Sequence, residues 1–357
     1  MKKVISAILI LFSINAVFAQ TVQPKPLTQA EYVRMLYALE KNFGKKDEII
    51  EAIRKRGIGF ELTDGLRGLT TSKSKNDADL RRTLEEAARR KANPETAKLP
   101  SEKESAEVLS KARQATLTAV EEMPDFVVKQ QIARSAAYAG TNNFRSLDRL
   151  IVAVSYRAEG REEYRVLSRN GILEADSQLK QSYEEVGGTS STGEFVTVLA
   201  KIFKPESETK FEIMDTDVIR GRRALVFDYS ITREKAKQVI SVAGAFDDTA
   251  VTGMKGRIWI DRENFRVLRV ETSATEIPES FRIRAANRTI DYDWVTIADE
   301  KYLLPMLSDV RLTSRQDKQM FETRNVIRFK DYQKYGSEVK ILDDDAEVPE
   351  EKPNQKD

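Results

Sequence analysis

The sequence predicts an α+β protein: a curved antiparallel β-sheet, an unclosed half-barrel of about ten or eleven strands with covering helices, preceded by a small all-α module. Three observations predict it. Apolar residues recur at helical spacing up to about residue 93, with capping signals at the starts of the runs. From Phe126 to about Ile341 the pattern changes to short alternating runs separated by Gly, Asn, Asp and charged turns. Within these, GRIWIDRENFRVLRVE (Gly256 to Glu271) reads as two strands around a polar turn with apolar side chains on both faces. Ile258 and Ile260 point one way and Trp259 the other, while Val267 is expected opposite in sense to Leu268 and Val270. Such a pair needs cover on both sides, or cover on one and an apolar cavity on the other.

Residues 1–19 have the form of a signal peptide, with two lysines, a short apolar run and a small residue at Ala19. Cleavage after Ala19 and an exported, periplasmic or extracellular protein are expected. The run is too short to favour a permanent membrane span, and no cysteine follows it to carry a lipid anchor. Residues 20–93 form the helical module. Thr28 and Glu31 make a capping pair, Tyr32, Met35, Leu36 and Leu39 share a face, and Gly44 is expected to end that helix. A second helix buries Ile49, Ile50 and Ile53 and stops at Gly57, a third starts after Thr63, and a fourth aligns Leu80, Leu84, Ala87 and Ala88. Residues 94–103 carry prolines and no periodicity, which marks a linker.

The half-barrel domain is expected over residues 104–341. Ser101 and Glu104 signal the start of a long helix with Val108, Ala112, Ala115 and Ala119 on its apolar stripe. Many strands joined by short connections favour an antiparallel meander, because parallel pairs require long crossovers. One interruption, SYEEVGGTSSTGEFVTVLAKIF, places Ser191 and Glu194 as a capping pair before a helix with Phe195, Val198, Leu199 and Ile202 on one face. The tail, 342–357, is acidic, proline-containing and aperiodic, a composition of disorder.

Composition narrows the chemistry. The 357 residues include no histidine and no cysteine, so Ser-His-Asp, Cys-His, disulfide and thiol redox chemistry are excluded, and no metal site or cofactor is expected. A net charge of +2 gives no field for nucleic acid. The Asp247 and Asp248 pair lacks the length of a calcium loop, and Gly187 and Gly188 lack a lysine at phosphate-loop spacing. Asp291 and Asp293 share one strand face, and Arg222, Arg223, Arg257, Arg266 and Arg269 form a candidate basic strip for a lipid head group. No catalytic residue is expected, although a carboxylate-based hydrolase stays the enzyme alternative.

The order of the long helix, MPDF and a first strand, STGEF, RGRRALVFDYSI, GRIWIDRENFRVLRVE, TIDYDWV, YLLP and RFKDYQKY resembles exported bacterial proteins related to the periplasmic lipoprotein carriers and receptors of the LolA and LolB type. The resemblance spans roughly Ser101 to Tyr335. It implies an unclosed half-barrel around an apolar cavity with a helical lid, and a lipid-binding role in envelope lipid or lipoprotein sorting. The carriers proper are shorter and lack the helical module, and their lid-holding arginine is not carried over to any arginine here. Candidate cavity or lid residues are Phe227, Tyr229, Ile258, Trp259, Ile260, Phe265, Leu268, Tyr292 and Trp294. The implied partner is an acyl lipid or lipoprotein. A scaffold or sensing protein that recruits a protein partner through the helical module is the alternative function.

Overall fold

A computed structural model describes residues 25–94, 98–157, 161–173, 186, 188–195, 197–242 and 248–335. The expected signal peptide and acidic tail lie outside the described residues, as do Asp247 and Gly187. Four helices open the chain: α1 (Gln29–Lys41), α2 (Lys46–Arg56), α3 (Asp64–Lys73) and α4 (Ala78–Ala92). The Thr28 and Glu31 capping box is complete in both directions, whereas α1 ends at Asn42 and not at Gly44. The predicted faces close on one another, with Tyr32, Leu36, Leu39, Ile49, Ile53, Leu80 and Leu84 all buried in one apolar cluster.

Helix α5 (Glu102–Glu121) follows, and Ser101 caps it by accepting from the Glu104 backbone N–H at 3.2 Å. The Glu104 side chain is drawn away instead, to Arg262 in a distant turn. The strands are β1 (Phe126–Tyr138), β2 (Arg145–Arg157), β3 (Arg161–Arg169), β4 (Ile172–Leu173), then after α6 (Thr197–Phe203) β5 (Lys210–Ile219) and β6 (Arg222–Ile231). Past α7 (Arg233–Ala236) come β7 (Gln238–Val242), β8 (Asp248–Asp261), β9 (Val267–Thr275), β10 (Ile283–Ile297), β11 (Glu300–Gln316) and β12 (Gln319–Lys334).

The protein is therefore α+β, and its twelve described strands form one antiparallel sheet that does not close. The order is β4-β3-β2-β1-β12-β11-β10-β9-β8-β6-β5, with β7 paired to β8 beyond the end of β6. Most neighbours are consecutive, as a meander requires, but the centre joins the first long strand to the last: Ile132 of β1 stands opposite Ile327 of β12.

Both faces of the sheet are covered. On the inner face α5 and α6 bring Val108, Ala112, Val198 and Ile202 onto Phe227, Ile258, Ile260, Ile290 and Tyr292. A neighbouring cluster continues the core under β1 and β2 and takes in Phe195, which meets the Phe126 ring edge-on at 5.3 Å. On the outer face Trp259 and Leu268 are buried with Ile219, Ala224 and Val226. There α4 lies over the sheet through charged side chains: Arg82 reaches Glu271, Arg89 reaches Asp217 and Arg90 reaches Asp215.

The strand pair that posed the two-face problem contains a β-bulge. Ile260 pairs with Val267 and Trp259 with Arg269, so Leu268 is the extra residue. One inserted residue reverses the parity of the strand beyond it. Val267 and Val270 therefore both face inward with Ile258, and Leu268 turns out to the Trp259 side. This corrects the alternation read from the sequence, in which Leu268 and Val270 shared a face.

The segment around Ser191 and Glu194 differs too. The helix is short and begins at Thr197, so the pair lies ahead of its described start. Ser191 donates to the Glu194 carboxylate within an extended strap that crosses the inner face.

Candidate ligand cleft

The strap, residues 188–195, is fastened to the inner face by polar side chains from strands far apart in sequence. Asn325 Nδ2 of β12 donates to the Thr189 carbonyl at 2.6 Å, and the Thr189 and Thr323 hydroxyls lie 2.7 Å apart. Arg288 Nη1 of β10 donates to the Thr192 carbonyl at 3.1 Å. Gly193 N–H donates to Glu162 Oε2 at 2.9 Å. Gly188 has a φ of +80°, a left-handed conformation that favours glycine, and an added Cβ would stand 2.9 Å from Arg134 Nη1.

Two carboxylates meet this strap, Glu194 from within it and the half-buried Glu162 of β3 from beneath. Glu194 is fully buried, and its Oε2 has no hydrogen-bond partner among the described residues. Burial pushes the Glu162 carboxyl above its usual range, against the hydrogen bonds it accepts from Tyr164 and Gly193. Glu162 holds the strap from below and Glu194 accepts from Ser191 within it, and neither side chain lines the cleft described next.

Beside the strap a cleft of about 380 Å³ opens to solvent. Its walls are the strap from Ser190 to Gly193, the outward turn of α6 at Thr197 and Lys201, and β7 from Gln238 to Ser241. Its floor is the part of the inner face that α5 and α6 leave bare, with Met254, Thr272, Arg288, Val310 and Leu312. Ile240, Ala286 and Leu312 also belong to a small apolar cluster with Phe281 and Ile283, which extends the apolar part of the floor outward. Among the described residues the lining contains two cations, Lys201 and Arg288, and no Asp or Glu. Burial, and then the nearby Arg288 charge, lower the Lys201 pKa. The arrangement sets an apolar strip of Met254, Val310 and Leu312 among hydroxyl and amide side chains and two cations, which is suited to an amphipathic anion.

None of the nine residues singled out from the sequence lines this cleft. Phe227, Tyr229, Ile258, Ile260 and Tyr292 are buried in the inner core. Tyr229 lies over Gly256, and its hydroxyl donates to the Glu271 carbonyl at 2.9 Å. Phe265 is half-buried in the turn after β8, with Lys111 Nζ of α5 4.6 Å from its ring. Trp259 and Leu268 are on the outer face under the helical module. Trp294 is 37% exposed, with the Arg266 guanidinium 5.7 Å from its ring. Composition signalled large apolar residues, and those fill the core. Lys201, Arg288 and the β7 run carry no local motif, because the cleft is made by segments that meet only in the fold.

Among the described residues, four of the five arginines of the expected strip, all but Arg223, have separate partners. Arg222 pairs with Asp261, Arg257 with Asp228 and Arg269 with Asp291, while Arg266 reaches the Ala115 carbonyl of α5. Asp291 and Asp293 do share a face, where both lie within 3.6 Å of Arg220. Among the described residues no group of three or more acidic side chains is placed to hold a metal ion, and no helix is long and apolar enough to cross a membrane.

No protein-family model matches the chain, and no curated protein matches it. Solved structures show a distant likeness. A DUF1329 family protein from Desulfovibrio piger is 9% identical, with 67% of this chain and 97% of that one covered and a TM-score of 0.27. MucB in complex with MucA(peri) is 10% identical over 62% of this chain and 93% of that one, with a TM-score of 0.18. A second MucA/MucB complex, from Pseudomonas aeruginosa, is 9% identical at the same coverages, 62% and 93%, with a TM-score of 0.17.

Proposed function

We propose that this protein is an exported, non-catalytic binding protein of the periplasm that holds an acyl lipid or lipoprotein in the inner-face cleft, in the service of envelope lipid or lipoprotein sorting. The observation that carries the reading is the cleft of about 380 Å³, in the size range of small-molecule sites, where an apolar strip of Met254, Val310 and Leu312 lies beside Lys201 and Arg288. An acyl chain would lie along Met254, Val310 and Leu312, and its anionic head would meet the two cations. A hydrolytic reading has less support, because Glu162 and Glu194 are engaged with Gly193, Tyr164 and Ser191 in holding the strap.

The test is native mass spectrometry of the mature protein from its own export compartment, with extraction and identification of the lipid that comes off. A near-stoichiometric acyl lipid that is absent from a folded Leu312→Glu variant supports the reading. An empty protein that also fails to take up a fluorescent fatty acid overturns it.

A further inference from the structure

The edge of β7 lacks the guards that edge strands normally carry. Strand β7 pairs with β8 alone, so among the described residues its second edge has no strand beside it. Exposed edges are usually shortened, charged or interrupted by proline, because unpaired N–H and C=O groups invite another strand. The terminal edge strand β5 follows that rule, with Lys210, Glu212, Asp215 and Asp217. In contrast β7, QVISV, has neither charge nor proline, and Val239 is 59% exposed.

That edge borders the cleft. Gln238, Val239, Ile240 and Ser241 all line it, although side chains alternate between the faces of a strand. A wall made of consecutive residues presents main chain as well as one row of side chains. Ser190 to Gly193 of the strap form an equally continuous run on another wall. The Gln238 Oε1 atom is buried with no hydrogen-bond partner among the described residues, an acceptor left for an incoming N–H. Lys201 and Arg288 are the charges of the lining, and among the described residues no carboxylate pairs with Lys201.

We propose that the free edge of β7 receives an extended, acidic polypeptide segment, which adds as a strand along the cleft and places its carboxylates at Lys201 and Arg288. Backbone pairing supplies the affinity in strand addition and the flanking side chains supply selectivity. The inference rests on the cleft being the binding site proposed above and adds a polypeptide to its ligands.

The experiment is fluorescence anisotropy on the full mature chain with a labelled peptide of about eight residues, alternating Glu and Val. The same peptide N-methylated at alternate residues, in each of the two registers, is the backbone probe, and a Lys and Val peptide is the charge probe. Saturable binding is expected, weakened about tenfold or more by one N-methyl register and by Lys201→Glu, with the basic peptide bound at least that much more weakly. Hydrogen exchange on the wild-type complex should show new protection at β7 amides, a readout that does not depend on any variant folding. Equal binding of both N-methylated peptides, or of the basic peptide, overturns the proposal. Uptake of a fluorescent fatty acid without peptide binding overturns it and leaves the lipid reading standing. Failure of both ligands removes the two together.

Discussion

Trp259 illustrates at the residue scale how a side chain read as a cavity aromatic is used. Two guanidinium groups approach its ring, Arg82 of α4 at 5.8 Å and Arg269 of β9 at 5.6 Å, and Nε1 donates to Asp217 Oδ2 at 2.9 Å. Trp259→Ala is expected to cost about 3–5 kcal/mol in urea unfolding, from lost area and a cavity at the module's contact. Trp259→Phe should cost less, about 1–3 kcal/mol, mostly for the lost donor to a buried carboxylate. A Trp259→Phe cost near zero would mean that the hydrogen bond contributes little, and equal costs would mean that the ring area does. Glu86, one turn along α4, is 5% exposed, and burial together with the neighbouring Asp217 raises its carboxyl to about 7 against the pull of Arg82, Arg54 and Arg90. A carboxyl raised on folding keeps its proton longer in the folded state, so the unfolded state binds fewer protons between pH 4.5 and about 7. Stability therefore falls as pH rises through that window, and Glu86→Gln should flatten this part of the wild-type profile. With no histidine in the chain, imidazole titration does not overlap the window. A variant with the same slope as wild type would refute the assignment to Glu86.

At the scale of elements, the β8 and β9 pair has two apolar faces because it is covered twice, by α5 and α6 inside and by α4 outside. Its turn also grips α5, since Arg262 pairs with Glu104 and Arg266 reaches the Ala115 carbonyl at 2.8 Å. Gly256 is where β8 lets the Tyr229 ring pass over it to bond β9. An added Cβ would lie 1.8 Å from the Glu271 carbonyl oxygen and 2.9 Å from the Tyr229 hydroxyl. Gly256→Ala is expected to destabilise by about 3 kcal/mol, since a clash with backbone cannot be relieved by a rotamer change. Thermal unfolding within a degree of wild type would show that the strands move apart freely there. Elements with a local cause were legible in sequence: the Thr28 box, the Gly57 stop and the Ile49, Ile50 and Ile53 face stand as read. The Leu268 bulge and the strap were not, because each depends on what a partner strand does.

At the scale of the whole molecule, the helical module sits on the outer face as a charge-held cap. Its own apolar side chains close on each other, and α4 meets the sheet through arginines directed at Asp215, Asp217 and Glu271. Contacts made by partly exposed ion pairs weaken with salt more than apolar packing does. In a Trp294→Phe background Trp259 is the only tryptophan, since the chain has two. Its emission should move to the red at high salt, and an Arg89→Ala, Arg90→Ala variant should reach the same shift at lower salt. A buried-indole spectrum that persists in the variant under all salt conditions would show that apolar contact holds the module.

The α+β class, the helices of the N-terminal module with the Thr28 cap and the Gly57 stop, the antiparallel meander and the exclusion of histidine and thiol chemistry came from the sequence, because each follows from composition or from patterns within a few residues. Tertiary structure alone decided that β1 pairs with β12, that the large aromatics fill the interior, that the module covers Trp259, and that Lys201, Arg288 and the β7 edge border one cleft. The physical reason is range. Periodicity and capping act over one or two turns of chain, whereas the cleft is the space left between a strap, a short helix and strands brought together from across more than a hundred residues.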